Sequence, residues 1–340
     1  MNATKAATPR RRMAAPQAIF STVFKARESG IVLALILLIA FTATRNSRFL
    51  SAQSIRDILL GTAILAVLAV GQAIVMITRN IDLSVGSVLG LSAFAVGSLL
   101  RDNQGVPVIV ALLAGLVLGG ACGVLNGVLV RFGQVPALGT LYALRGVNYL
   151  WAGGQQINAD RLPESFLDFG NQAILGVPWL VLIGLVVLAV ATIVLRGYRA
   201  GRELYAMGSS PQAAELAGIK VSRNTIAAFL VSGALAGLAG VLFAARFGTI
   251  DAAAGTGYEL NVVAAAVVGG VAVFGGSGTV WGASLGALLL TVIGSCLAVL
   301  DINQFWQQAI VGALILLAIG ADRLVASRVA RALRKRDSHV

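Results

Sequence analysis

Charge, histidine, lysine and cysteine are all scarce in this 340-residue chain, and each shortage removes a class of function. Charged residues make up 12% of the sequence against 58% hydrophobic ones, a balance foreign to ordinary soluble domains. The one histidine is His339, next to the C-terminus, and the two cysteines, Cys122 and Cys296, fall inside separate apolar runs. Neither a disulfide framework nor a zinc site can be assembled from these ligands. The four lysines are Lys5, Lys25, Lys220 and Lys335, and none stands in the G-x-x-x-x-G-K-[ST] frame of a phosphate-binding ATPase loop. Gly276-Ser277-Gly278 offers a serine, but a serine nucleophile needs an adjacent base, and no apolar run supplies a lysine or histidine. The segment reads as a turn, and the chain as no enzyme. Acidic groups lie mainly at the ends of apolar runs (Asp57, Asp82, Asp251, Glu259, Asp301, Asp322), whereas a proton- or sodium-coupled carrier places carboxylates inside its spans. An energy source in another chain is therefore expected.

What the chain has instead is apolar length. Stretches such as Ile58–Thr78, Val106–Val130, Thr225–Ala245 and Val280–Leu300 reach the roughly 17–25 residues of a membrane-crossing helix. Six further runs bring the expected count to about ten: Gly30–Thr44, the run opened by Asp82, Pro136–Trp151, Gly176–Leu195, Leu260–Phe274 and Phe305–Ala321. The expected fold is all-α, a polytopic bundle with a basic tail over 1–28, a membrane domain over 29–322 and a second basic tail over 323–340. The first run reads as an uncleaved helix rather than a signal peptide, because no small-residue cleavage site precedes Arg45 and many spans follow. Asp82 is positioned to cap the first turn of its run. Ser51–Leu60 reads as an interfacial lead-in to the second span, and Gly153–Leu175 as a polar loop.

The net charge of +12 is explained by basic residues flanking membrane spans on the cytoplasmic side; no nucleic-acid module pattern accompanies it, and no nucleic-acid partner is expected. With the N-terminus inside and loops alternating, nineteen Lys and Arg residues fall in inside segments and six in outside loops. Arg145 lies within a span, where it faces either the bundle interior or the membrane interface. Gly115, Gly119, Gly123 and Gly127 recur every four residues on one helix face, the pattern of close helix packing. Leu260–Phe274 is short and ends in Gly269, Gly270, Gly275, Gly276 and Gly278, the sign of a discontinuous helix lining a cavity.

The long polar interruption of the second half is Gly201–Arg223, inside a loop over 196–224. Its punctuation predicts two short helices: Gly201–Met207, stopped by Gly208 in the left-handed conformation, and a second with Ser210 as cap, Pro211 in its first position and Gly218 as its close. Helices this short are marginal in water, so the segment must dock, on its own bundle or on a partner.

Four segments carry a family resemblance: NIDLSVGSVLGL (Asn80–Leu91), LNGVLV (Leu125–Val130), GRELYAMGSSPQAAELAGI (Gly201–Ile219) and AGTGYELNVVAAAVVGGVAVFGGSGTVWGASLGALLL (Ala254–Leu290). From about Ile58 to Asp322 the chain resembles permease subunits of bacterial ABC sugar importers, in the ribose and branched-chain amino-acid permease superfamily. It departs at Asn80, where ribose-type members commonly carry glycine. The resemblance implies a multi-pass protein of the bacterial inner membrane with both termini cytoplasmic and no cofactor of its own. It implies as partners a cytoplasmic ABC ATPase carrying ATP and magnesium, a periplasmic or extracellular sugar-binding protein and a second permease chain. It assigns the central loop to ATPase coupling, with Gly201, Glu203, Gly208, Pro211, Glu215, Ala217 and Gly218 as its residues. Asp82, Ser84, Gly255, Gly257, Tyr258 and Glu259 match further family signatures without an assigned role. Asn126, Asn148, Tyr149, Asn261 and Gln307 are the polar candidates for the substrate pathway. The expected solute is a monosaccharide or related polyol, with rhamnose or autoinducer 2 favoured and ribose possible. A self-sufficient carrier or channel for a small neutral solute is the alternative.

Overall fold

The computed structural model describes residues 16–133, 135 and 137–337; the outer parts of both basic tails, His339 included, lie outside the described residues. Among the described residues thirteen α-helices follow one another: α1 Pro16–Arg45, α2 Ala52–Ile77, α3 Val85–Asp102, α4 Val108–Phe132, α5 Ala137–Ala152, α6 Glu164–Asn171, α7 Trp179–Gly197, α8 Arg199–Ser209, α9 Pro211–Leu216, α10 Val221–Phe247, α11 Tyr258–Val268, α12 Val280–Val299 and α13 Phe305–Asp337. The only sheet among the described residues is a hairpin of β1 (Ala173–Ile174) and β2 (Val177–Pro178). Among the described residues, seven helices are long and apolar enough to cross a membrane: α2, α3, α4, α7, α10, α12 and the Glu28–Arg45 part of α1. The other three expected spans are α5, of 16 residues, α11, of 11, and the apolar Phe305–Gly320 part of α13.

Helix α2 is the axis of the bundle. From Ala63 to Ile77 it is apolar nearly all round, and nearly every residue of that stretch is buried, as an all-round hydrophobic helix must be. Helices α10, α12, α7 and α11 pack around it. Helices α4 and α7 keep Leu113, Val117, Val186 and Val190 exposed on their outer faces, where a bilayer would supply the apolar surroundings.

Three sequence expectations change. The lead-in before the second span is part of α2 itself: Ser51 caps the helix, its Oγ accepting from the Ser54 N–H at 3.2 Å. The polar loop at 153–175 contains α6, whose Phe166 is fully buried. The last helix does not stop near Asp322 but runs on to Asp337.

The chain has two distinct ends. At one, the C-terminus of α2, helices α8 and α9, the start of α10 and the segment 269–279 meet. At the other lie the start of α2, the end of α10, α6 and the α12–α13 connection, tied by hydrogen bonds from Arg246 to the Asp57 carbonyl (3.2 Å) and from Asn46 to the Val299 carbonyl (3.0 Å).

Candidate functional site

Helices α8 and α9 form a lobe at the first end. Gly201 is buried because a Cβ there would overlap the backbone of Leu195, so glycine lets α8 fold back on the end of α7. Glu203 holds the lobe to α10: it accepts from Arg199 Nε at 2.7 Å and from Asn224 Nδ2 at 3.0 Å. The Asn224 hydrogen bond, and after it the Arg199 guanidinium, keep the Glu203 carboxyl below the usual carboxylate range. Ser210 caps α9 with Pro211 at its first position, and Gly218, at φ 79°, reverses the chain after it. Those expectations hold.

Gly208 does not behave as expected. It is not a left-handed stop; it lies inside α8, which continues to Ser209. Glycine is needed there for proximity, since a Cβ would overlap the Ile77 carbonyl at the end of α2 and crowd the Gly276 amide. The joint is completed by hydrogen bonds from the Gly276 amide to the Ile77 carbonyl (2.9 Å) and from the Tyr205 hydroxyl to the Gly278 carbonyl (2.9 Å). The lobe thus touches both the terminus of α2 and the turn between α11 and α12. On its other side Arg131 of α4 pairs with Glu215 at 3.7 Å. Helix α9 buries Ala214 and leaves Glu215, Leu216 and Ala217 outward, with Leu216 91% exposed.

The four-residue glycine repeat of α4 packs as its spacing predicts. Gly115, Gly119, Gly123 and Gly127 all face α10, where side chains would collide with Gly237, Gly233, Phe229 and Ile226. Beside this seam sits a buried polar knot. Asp82 does not cap α3, which starts at Val85. Its Oδ1 instead accepts from the Ser84 N–H (3.0 Å) and Ser84 Oγ (2.6 Å), and its Oδ2 from Ser232 Oγ at 3.2 Å. Asn126 donates to Ser84 Oγ and is fully buried. The carboxylate therefore joins the α2–α3 turn to α10, and through Ser84 to α4. Asn80 turns back onto the Thr78 carbonyl at 3.0 Å, and the left-handed residue of that turn is Arg79, at φ 70°. The glycine that ribose-type members carry at the Asn80 position is not required by this geometry.

Helix α11 is the discontinuous element. At a rise of 1.5 Å per residue its 11 residues extend only about 16 Å, half the hydrocarbon thickness. The chain enters it through left-handed Gly255 and Gly257, with Gly255 pressed against the Gly86 carbonyl. Glu259 in its first turn meets Arg145 of α5 at 3.4 Å, both side chains about seven-eighths buried, so Arg145 faces the bundle interior.

Of the five pathway candidates, the structure gathers two. Asn261 and Gln307 share a cavity of about 390 Å³ at the end opposite the lobe, with Asp57 and Gly61 of α2, Arg246 of α10, Tyr258 of α11, and Thr291 and Ser295 of α12. An adjoining recess of about 510 Å³ shares Asn261, Gln304 and Gln307 and continues along α13. Asn126 is locked in the Asp82 knot. Asn148 is buried and donates to the Ala252 carbonyl at 3.1 Å. Tyr149 lies half exposed on the outside of α5. Sequence reading missed Tyr205, Arg131, Leu216, Asp57, Arg246, Thr291 and Ser295, which come from six different helices. Arg246 alone carried a signal, as a cation in the last turn of a long apolar helix.

Comparison with known proteins agrees with this architecture. Residues 54–319 match the family described as the permease component of the branched-chain amino acid transport system. The chain is 38% identical over 313 residues to the autoinducer 2 import system permease protein LsrC of Salmonella paratyphi B, covering 91% of this chain and 89% of that protein. It is 38% identical over 321 residues to the LsrC protein of Enterobacter sp. strain 638, covering 92% of each. With the LsrC protein of Escherichia coli K12 (DH10B) identity is 37% over 313 residues, 91% of this chain and 90% of that one. No solved structure matches the chain. A multi-pass helical bundle and a match across most of its length lead to one conclusion: the chain belongs to the permease component family and is a transporter subunit.

Proposed function

We propose that this chain is the translocation subunit of an ATP-driven, binding-protein-dependent importer of autoinducer 2 or a closely similar small hydroxylated solute. In this reading it lies in the bacterial inner membrane with both termini and the α8–α9 lobe in the cytoplasm. The observation that carries the reading is the 38% identity to autoinducer 2 import permeases over 91% of the chain. The inside-positive charge distribution supports the orientation.

The lobe is where force enters. A separate ABC ATPase, holding ATP and magnesium, engages α9 through its exposed face of Glu215, Leu216 and Ala217. A six-residue helix with an apolar tip is poorly stable facing water alone, and a groove on a partner would cover it. Displacement of α8 is passed on at two points, the Ile77 terminus of α2 and the 272–279 turn after α11. Both helices run from this joint to the polar cavity, α2 at Asp57 and Gly61, α11 at Tyr258 and Asn261. Rigid helices that reach both ends convert a push at one into opening or closing at the other. A second permease chain completes the pathway, and a binding protein outside the membrane delivers the solute.

The test is reconstitution of this chain in proteoliposomes with its ATPase and binding protein, followed by uptake of autoinducer 2, rhamnose and ribose. ATP-dependent uptake of autoinducer 2 above the two sugars is expected. A preference for rhamnose or ribose would replace the substrate, and uptake by the permease alone would sink the ABC reading.

A further inference from the structure

The cavity at the end opposite the lobe collects polar side chains from several helices. It is an open space of about 390 Å³ with side chains of α2, α10, α11, α12, the α12–α13 connection and the start of α13 around it. Its lining is chemically mixed in a specific way. Asn261, Gln304 and Gln307 offer amides with both donor and acceptor atoms, Thr291 and Ser295 hydroxyls, Tyr258 a phenol, and Arg246 a guanidinium. Several of the lining groups are held in place from outside. Arg246 donates to the Asp57 carbonyl and lies over the Phe247 ring at 4.8 Å. Asp57 is fixed by Gln53 Nε2 at 3.0 Å. Thr291 donates back to the Ala287 carbonyl at 3.0 Å and keeps its acceptor capacity. Gly294 leaves the space that the Gln307 amide fills, since a Cβ there would stand 3.0 Å from its Oε1.

Amides and hydroxyls beside one arginine and one phenol suit a compact polyol that both donates and accepts at every hydroxyl. They do not suit an apolar ligand, which would leave these groups unpaired. A carboxylate or phosphate would meet the Asp57 carboxylate beside the single arginine. The volume also fits. It lies within the range of small-molecule sites and exceeds what one pyranose or furanose occupies, leaving room for water.

We propose that this cavity is a solute-binding station on the permease itself, holding one small neutral polyhydroxylated molecule between Asn261 and Gln307 before the pathway opens. Resting on the importer reading above, it gives Asn261 and Gln307 the direct ligand contacts and Arg246 a donor role toward a ligand hydroxyl. Because Asn261 stands on α11 and Asp57 and Gly61 on α2, occupancy is sensed by the two helices that meet the α8 joint. Occupied and empty cavities would then differ in how α11 is held.

The experiment uses the full-length permease in lipid nanodiscs, without ATPase or binding protein. Ser295→Cys introduces a thiol into the cavity wall, while Cys122 and Cys296 are buried and the unsubstituted chain serves as background. Labelling by a membrane-impermeant maleimide should proceed and should slow about fivefold or more at saturating autoinducer 2, rhamnose or ribose, but not with succinate. Adding Gln307→Ala or Asn261→Ala to the Cys variant should raise the concentration giving half-protection about fivefold to tenfold, the effect of one lost hydrogen bond. A thiol that labels but is protected by none of the three solutes would overturn the proposal, as would protection that both alanine variants leave unchanged. A thiol that cannot be labelled from either face of the nanodisc would overturn it too. If Ser295→Cys does not fold, Thr291→Cys on the same wall gives the same readout. Protection that persists while uptake proves independent of ATP would refute the importer reading and leave the station standing.

Discussion

Two glycine-built contacts divide this molecule. Along the α4–α10 seam, Gly115, Gly119, Gly123 and Gly127 let two long helices touch backbone to backbone over several turns. At the α8 joint, Gly208 meets the last carbonyl of α2 and the turn that holds Gly275, Gly276 and Gly278, each of these three at positive φ. The seam is helix on helix, regular and continuous, with each glycine contact supported by its neighbours one turn away. The joint is a helix set on a loop, with few contacts and little behind them. Extended repetition makes a contact rigid, whereas a point contact between a helix and a glycine turn can rock. The first is suited to holding the bundle, the second to passing motion through it.

The largest effect should come from breaking the seam. Gly119→Leu drives a side chain into the Gly233 carbonyl and the Gly237 backbone, and neither helix can move aside without unzipping its neighbours. A loss of about 3 kcal/mol or more is expected, read as failure to recover monodisperse permease from detergent. Recovery of protein with an unchanged melting temperature would refute the rigid-seam reading.

Gly208→Ala should separate stability from transport. Its Cβ would overlap the Ile77 carbonyl, and the lobe must tilt away to relieve this. Uptake by the reconstituted importer should fall about tenfold, the rate equivalent of roughly 1.4 kcal/mol on the barrier of the transport step, while yield and melting temperature stay near those of the unsubstituted protein. Equal loss of both would make the joint merely structural.

The smallest effect concerns the tie between lobe and bundle. Glu203 has its carboxyl held low by Asn224 and Arg199, so its ionised form contributes above the unfolded carboxyl value of about 4.3. That contribution is lost as pH falls through the depressed folded value. Glu203→Gln should therefore lower the melting temperature by about 1 °C at pH 7 and make no difference once wild-type Glu203 is protonated, well below pH 4. A difference that survives in acid would assign the effect to packing rather than charge.

The same contrast shows what could be read early. The α4 stripe was legible because its period of four residues is a property of one helix, and one helix face needs one opposing surface. Ser210, Pro211 and Gly218 were legible because capping is local chemistry. Gly208 was misread because a glycine required for left-handed φ and a glycine required for proximity are the same letter. Asp82 was placed as a cap because sequence shows its neighbours along the chain, not Ser232 one hundred and fifty residues away.

Composition and apolar length by themselves determined that this is a helical membrane protein, because burial in lipid demands long runs of apolar residues that can be counted. The half-length of α11 was also foreshadowed, in a short apolar run closed by glycines. Which polar groups meet was decided only by tertiary structure. Of the candidates Asn126, Asn148, Tyr149, Asn261 and Gln307, two face a shared cavity, two are locked in the interior and one faces outward. The physical reason is that hydrogen-bonding groups are paired by distance in space, and helix packing rather than sequence spacing sets that distance.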